Sequence, residues 1–310
     1  MNEQVSSHAT SESPFVEATS RLKRLKLLVY GDSGTGKTTL GLSFPRPVLF
    51  DLESGGDLYG GKFRFDVLRT VSFDEALNAI RWLREHAHPY RTVIVDPITI
   101  LWDALQRKWS DIFLKRNKSS KGFKFEYFDF QPRDWMTIKA EWKELLRQLI
   151  ALDATVVVTA REKVLYSDSG FMTPAGHTFE AEKGLAYAFD VVLRLTRDPK
   201  GCYLADVIKD RSGRLPTEPF EHSYALFERV FGAETFAREA KPIVPASEEQ
   251  VREVRALVIT LGLRDALVRQ RLAAFGADRI EALSTDAASE ILAKLRAARD
   301  AKSIPTQKES

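Results

Sequence analysis

The stretch Gly31-Asp32-Ser33-Gly34-Thr35-Gly36-Lys37-Thr38 carries the clearest chemistry in this chain. It fits the spacing G-x-x-x-x-G-K-[ST], in which glycines let backbone N–H groups close around phosphate oxygens. In that arrangement Lys37 reaches the β- and γ-phosphates and the Thr38 hydroxyl holds Mg²⁺. Gly31, Asp32, Ser33, Gly34, Thr35, Gly36 and Thr39 complete a cradle for ATP. The flanks suit the motif: Leu25–Tyr30 is a short apolar run, and Thr39–Phe44 can continue as a helix.

Such a cradle needs carboxylates nearby. Thr92-Val93-Ile94-Val95-Asp96 is a β-branched run that ends in one, as a buried parallel strand would. Ligands bind at that end of an open α/β sheet, so Asp96 is expected to hold Mg²⁺ through water. A helix-capping aspartate after a core strand is the plainer alternative. Val48-Leu49-Phe50-Asp51-Leu52-Glu53 ends in carboxylates on the same rim. Glu53, rather than Asp51, is the candidate that orients and deprotonates an attacking water. The alternative there is a surface acid at a strand end.

The elements that must position these groups follow from hydrophobic period. Strands are expected at Leu25–Tyr30, Val48–Leu52, Thr92–Asp96, Thr155–Ala160, Val191–Thr196 and Tyr203–Lys209. Helices are expected at Lys37–Phe44, Phe73–His86, Ile98–Ser110, Arg133–Leu152 and Glu180–Ala188. Strands alternating with helices imply an α/β fold, a mainly parallel sheet with helices on both faces. The last two strands read as an antiparallel hairpin at the sheet edge. The expected organisation is a polar arm (1–22), the ATPase core (23–230), a proline-bearing linker (231–246), a helical module (247–300) and a polar tail (301–310). Ser247-Glu248-Glu249-Gln250 is a capping-box start for the module, and Gly262 ends its first helix. Helices at Arg264–Phe275 and Thr285–Ala298 follow.

Composition narrows the class. With 310 residues, 44% hydrophobic and 29% charged, the chain reads as a soluble globular protein. No run approaches the ~18 apolar residues of a membrane span, and Met1–Ser20 lacks the apolar core of a secretory signal. The single cysteine, Cys202, suits a reducing cytoplasm. A net charge of +3 does not by itself argue for nucleic acid.

Several segments together carry a family resemblance. Leu49–Glu53 resembles the strand bearing the catalytic glutamate of RecA-type ATPases. Val207-Ile208-Lys209-Asp210-Arg211-Ser212-Gly213 resembles the K-x-R-x-G segment of RecA-like recombinases and DnaB-type helicases. That resemblance implies that Lys209 and Arg211 act on the γ-phosphate of a neighbouring subunit's ATP. An exposed basic turn is the alternative. The spread of motifs over residues 25–213 most resembles the phage single-strand annealing proteins built on a minimal RecA core. It departs from RecA where a γ-phosphate-sensing glutamine is expected: the matching stretch contains Thr159 and Arg161.

Where DNA would sit is read from basic residues interleaved with aromatics. Lys115, Arg116, Lys118, Lys121, Phe123, Lys124 and Phe125 form one such segment, matching in position the first DNA-binding loop of RecA-like proteins. A lid or an oligomer contact with its aromatics buried competes with this reading. A second loop is expected over Lys163–Thr178, with Lys163 its basic contact. Phe15-Val16-Glu17-Ala18 fits the F-x-x-A tetrapeptide with which recombinases dock onto a neighbouring core. The basic helical module is a candidate contact for DNA, a single-strand DNA-binding protein or another subunit; a solvated face serves as well.

The expected function is an ATP- and Mg²⁺-dependent, single-stranded-DNA-binding ATPase of phage-type recombination or annealing, working as a filament or ring in the host cytoplasm. Two other classes fit the nucleotide motifs. One is a regulatory or loader ATPase with a protein partner; the other is a monomeric small-molecule kinase.

Overall fold

The computed structural model describes residues 24–117, 130–166, 173–241, 244–275 and 277–303. The strands, in chain order, are β1 (Lys26–Gly31), β2 (Pro47–Asp51), β3 (Asp66–Arg69), β4 (Thr92–Asp96) and β5 (Thr155–Tyr166). Then come β6 (Pro174–Phe179), β7 (Val191–Arg197), β8 (Tyr203–Asp210) and β9 (Phe220–Glu221). The core helices are α1 (Lys37–Leu42), α2 (Phe73–Glu85), α3 (Ile98–Asn117), α4 (Pro132–Ala151), α5 (Leu185–Ala188), α6 (Tyr224–Phe231) and α7 (Ala233–Ala237). The nine strands form one sheet in the order β3-β2-β4-β5-β1-β7-β8-β9, with β6 paired to β5. From β3 to β7 the pairing along this order is parallel. β8 turns back antiparallel to β7, as the hairpin reading expected, and β9 follows at the edge.

Alternation along each strand fills two cores. Leu28 and Tyr30 of β1, with Val93 and Val95 of β4, face a layer made by α2, α3 and α4, where Ile80, Leu101 and Trp142 are buried. Leu27 and Val29, with Ile94, face the other side, against Leu40, Phe44, Phe227 and Phe236. A strand buried on both faces shows no polar alternation, which is why these runs read as continuous apolar stretches. Arg24 clamps the foot of the sheet: it donates to Asp153 Oδ1 at 3.0 Å and to the Thr235 and Glu239 carbonyls.

The structure corrects several expected boundaries. β5 does not stop at Ala160 but runs to Tyr166, and β6 pairs back on it, so 163–166 and 174–178 of the expected second loop are a hairpin. The helix expected from Glu180 begins only at Leu185. Glu182 explains the delay: its carboxylate accepts the Gly184 N–H at 2.6 Å, and such a local side-chain turn competes with helix. α3 continues past Ser110 to Asn117, which places Lys115 and Arg116 in a helix rather than a loop. Residues 231–237, expected as linker, form the end of α6 and all of α7, and Phe236 packs on Phe44 with ring centroids 5.4 Å apart.

Three further helices follow among the described residues: α8 (Glu248–Leu261), α9 (Asp265–Ala274) and α10 (Thr285–Ser303). The Ser247–Gln250 capping box starts α8, and Gly262 at φ 64° caps its end. Val254, Leu257 and Leu292 bind α8 to α10 through a small core of their own.

Candidate functional site

Register assembles the site. Gly31 at the end of β1 is level with Arg161 on one side and Leu195 on the other. Asp51 is level with Asp96 on the neighbouring pair. The carboxyl ends of these parallel strands therefore share one rim, where they line a cavity of about 470 Å³. Gly31–Gly34, Gly36–Thr38, Glu53, Asp96 and Arg161 all face it.

The glycines have steric reasons to be there. A Cβ on Gly31 would lie 2.2 Å from the Leu195 carbonyl oxygen, so the loop can leave the sheet here only as glycine. Gly36 has φ 84°, and a Cβ would meet the Tyr203 ring at 3.1 Å. Behind the loop, the His222 Nε2 lies 3.3 Å from the Thr35 carbonyl, and burial lowers the pKa of this imidazole. Tyr203 and His222 thus brace the loop from β8 and the segment after β9. The sequence carried no signal for them, because neither neighbours the loop along the chain.

Lys37 reaches back across the loop and donates to the Gly31 and Asp32 carbonyls at 2.8 and 2.6 Å. Burial lowers its pKa, while Asp96, Asp32 and Glu53 oppose that shift. The Thr38 hydroxyl donates to Asp96 Oδ2 at 2.5 Å, and the Thr159 hydroxyl donates to Asp96 Oδ1. Burial raises the Asp96 pKa; the two hydroxyl hydrogen bonds only partly offset it.

Asp51 and Glu53 sit in different surroundings. Asp51 is buried and accepts the Gly55 and Gly56 N–H groups at 3.1 and 2.8 Å, folding the loop that follows β2. Glu53 stays half exposed at the cavity, where Arg161 donates to its Oε1 from Nε at 3.0 Å and also from Nη2. The next residue, Glu162, also lines the cavity and is held by Arg194, through Nε and Nη2 at 2.9 Å, and by His177.

Lys209 and Arg211 lie elsewhere. Lys209 pairs with Val192, and the Arg211 N–H donates to the Asp190 carbonyl, at the foot of β7. Asp190 in turn is level with Lys26, five residues down β1 from Gly31, or about 17 Å of strand. Their side chains hold carbonyls at the end of α5: Lys209 takes Ala186 and Phe189 at 2.8 and 2.6 Å, and Arg211 takes Tyr187 at 3.0 Å. Burial and then Arg211 lower the Lys209 pKa. Neither group can reach the cavity of its own chain.

Of the expected DNA contacts, Lys115 and Arg116 are exposed in the last turn of α3, and Lys163 is exposed on the projecting β5–β6 hairpin. Lys118, Lys121, Phe123, Lys124 and Phe125 lie outside the described residues, as does Phe15–Ala18. The aromatics bordering that segment pack on one another: Trp109 with Phe113, Phe113 with Phe130, and Phe130 with Trp135.

The donor set suits a magnesium nucleotide. Thr38 and Asp96 offer hard oxygens side by side, and burial penalises negative charge on Asp96, a penalty that a cation beside it relieves. Among the described residues no cluster of three or more His, Cys, Asp or Glu side chains could hold a metal unaided. An ion here would complete its shell with phosphate oxygens and water, as Mg²⁺ does. No helix among the described residues is long and apolar enough to cross a membrane.

A search of the curated proteins finds no match for the chain. The AAA_24 family model, described as an AAA domain, matches residues 23–219, the stretch from the foot of β1 past β8. That match covers more than half of the chain and every residue placed around the cavity except His222. The chain belongs to this family of AAA domains, and its core has the fold of a P-loop ATPase.

Proposed function

We propose that the protein is a Mg²⁺-dependent ATPase that binds single-stranded DNA and acts in annealing or recombination, as the resemblance to phage annealing proteins implies. The observation that carries the ATPase half is the meeting of Thr38, Asp96 and Thr159 beside the Gly31–Thr38 loop, with Glu53 on the same cavity. Mg²⁺, held by Thr38 and through water by Asp96, would neutralise charge on the phosphates. Lys37 would exchange its loop carbonyls for phosphate oxygens. Glu53 would accept a hydrogen bond from the attacking water.

DNA binding is supported by the exposed Lys115 and Arg116 on α3 and by Lys163 on the hairpin, beside exposed Val164, Leu165 and Tyr166. Basic groups suit phosphates, and Tyr166 offers a face on which a base can stack. The placement of Lys209 and Arg211 at the far end of the sheet supports an oligomer, filament or ring, in which they serve a neighbour's cavity. An annealing assay on complementary oligonucleotides tests the reading. Wild type with ATP should speed annealing and Lys37→Ala should not; equal rates with and without protein would reject it.

A further inference from the structure

Among the described residues the two most exposed large apolar side chains are Leu58, 86% exposed, and Tyr187, 80% exposed. Isolated apolar groups on a surface are ordinary, so exposure alone assigns them nothing. Their placement does more. Leu58 lines the cavity at the carboxyl rim of the sheet. Tyr187 lies at the foot of the sheet, where Arg211 donates to its carbonyl at 3.0 Å. The two side chains thus mark opposite ends of one core.

Both stand on stiff mounts. Leu58 sits in the single 3-10 turn Gly56–Tyr59, folded by Asp51 on the Gly55 and Gly56 N–H groups. Its neighbour Tyr59 packs against the core. Tyr187 stands in α5 between Leu185 and Phe189, both fully buried. Lys209 spans the Ala186 and Phe189 carbonyls, so the turn that presents the ring is tied down on both sides. Exposed side chains mounted this firmly lose little backbone freedom when a partner covers them.

Charge says which partner. The cavity wall carries six acidic residues and two basic ones, Lys37 and Arg161. A bound magnesium nucleotide would add further negative charge. The foot beside Tyr187 presents Lys209 and the exposed Arg211, with exposed Arg214 in the turn that follows. Of the acids there, Asp210 accepts the N–H groups of Ser212, Arg214 and Leu215, and Asp190 is paired with Arg211. An acidic rim and a basic foot on one chain are complementary between copies stacked head to tail, and such contacts build rings or filaments.

Resting on the intersubunit reading of Lys209 and Arg211, we propose that Tyr187 is the anchor of the contact and packs on Leu58 of the next copy, at the mouth of its cavity. Because Arg211 holds the Tyr187 carbonyl, the anchor and the guanidinium arrive together. Tyr187 is thus a positioning residue for Arg211 and touches no nucleotide itself.

The single native thiol, the exposed Cys202, opens a direct test in the full chain. In a Cys202→Ser background, Leu58→Cys and Tyr187→Cys are made as separate proteins, with melting curves as the check on folding. Each is treated with a short bis-maleimide, alone and mixed in equal amounts, in the presence of Mg²⁺ and a non-hydrolysable ATP analogue. The mixture should give a covalent dimer that neither protein gives alone. Separately, Tyr187→Ser should raise the concentration at which subunits assemble about thirtyfold, the scale of a buried aromatic anchor, and Tyr187→Phe should not. Turnover of Tyr187→Ser should recover at high protein concentration, whereas that of Arg211→Ala should not. No more covalent dimer in the mixture than in the separate proteins, where the protein sediments as an oligomer, overturns the anchor and leaves the intersubunit site standing. Wild type that sediments as a monomer at every concentration with the same nucleotide overturns both.

Discussion

The Thr38 hydroxyl and the Asp96 carboxylate meet at 2.5 Å although 58 residues separate them. Thr38 stands in the first turn of α1 and Asp96 ends β4, so the contact joins the phosphate loop to the carboxyl end of a neighbouring strand of the sheet. Thr159 takes the other Asp96 oxygen from β5, leaving the carboxyl buried between two hydroxyls.

That burial predicts a pH effect with a definite sign. The folded Asp96 pKa is raised, so its contribution to stability is fully present below the unfolded carboxylate pKa and is lost as pH rises through the folded value. Asp96→Asn removes the loss and keeps both Thr38 and Thr159 as hydrogen-bond partners. Melting curves from pH 4 to pH 8 should show the variant gaining on wild type as pH rises, while its hydrolysis falls by at least about a hundredfold.

Asp51 and Glu53 should separate under mutation. Asp51→Ala strips the partners from two loop N–H groups, one of them buried, and should cost about 2–3 kcal/mol in denaturant unfolding. Glu53→Gln, half exposed, should leave stability within about 0.5 kcal/mol of wild type while turnover drops about a hundredfold.

Lys209 and Arg211 are expected to act between subunits. Lys37→Ala and Arg211→Ala should each be inactive alone, because each spoils one half of every site. Mixed in equal amounts they should recover about a quarter of wild-type turnover, the share of interfaces pairing an intact loop with an intact arginine. No recovery on mixing would mean that the two residues do not share a site across an interface.

Lys37→Ala tests the cavity itself. Its ammonium bridges the loop carbonyls of Gly31 and Asp32, and its loss should weaken magnesium-nucleotide binding by at least about tenfold in titration calorimetry. Because Lys37 is only partly buried, the melting temperature without nucleotide should move little.

Much of this was legible in the chain because the physics is local. The glycine spacing of Gly31–Thr38 and the β-branched run Thr92–Asp96 state their own geometry, and both end on the same rim of the sheet. The β5–β6 hairpin was not legible: Arg161–Tyr166 is largely exposed on both faces, so no burial pattern marked it as strand. The grip of Arg161 on Glu53 spans 108 residues and depends on strand order, which no local pattern encodes. The same holds for His222 behind Thr35, and for the far placement of Lys209, which follows from β8 running antiparallel to β7.

On the proposed function, this cavity hydrolyses ATP in response to single-stranded DNA. The most direct measurement is steady-state ATP turnover with Mg²⁺, with and without a single-stranded oligonucleotide, for wild type and Lys37→Ala. Wild type should turn over slowly alone and be stimulated at least about tenfold by DNA, and Lys37→Ala should show neither. Turnover that is indifferent to DNA, in a protein that also fails to bind the oligonucleotide, would contradict it.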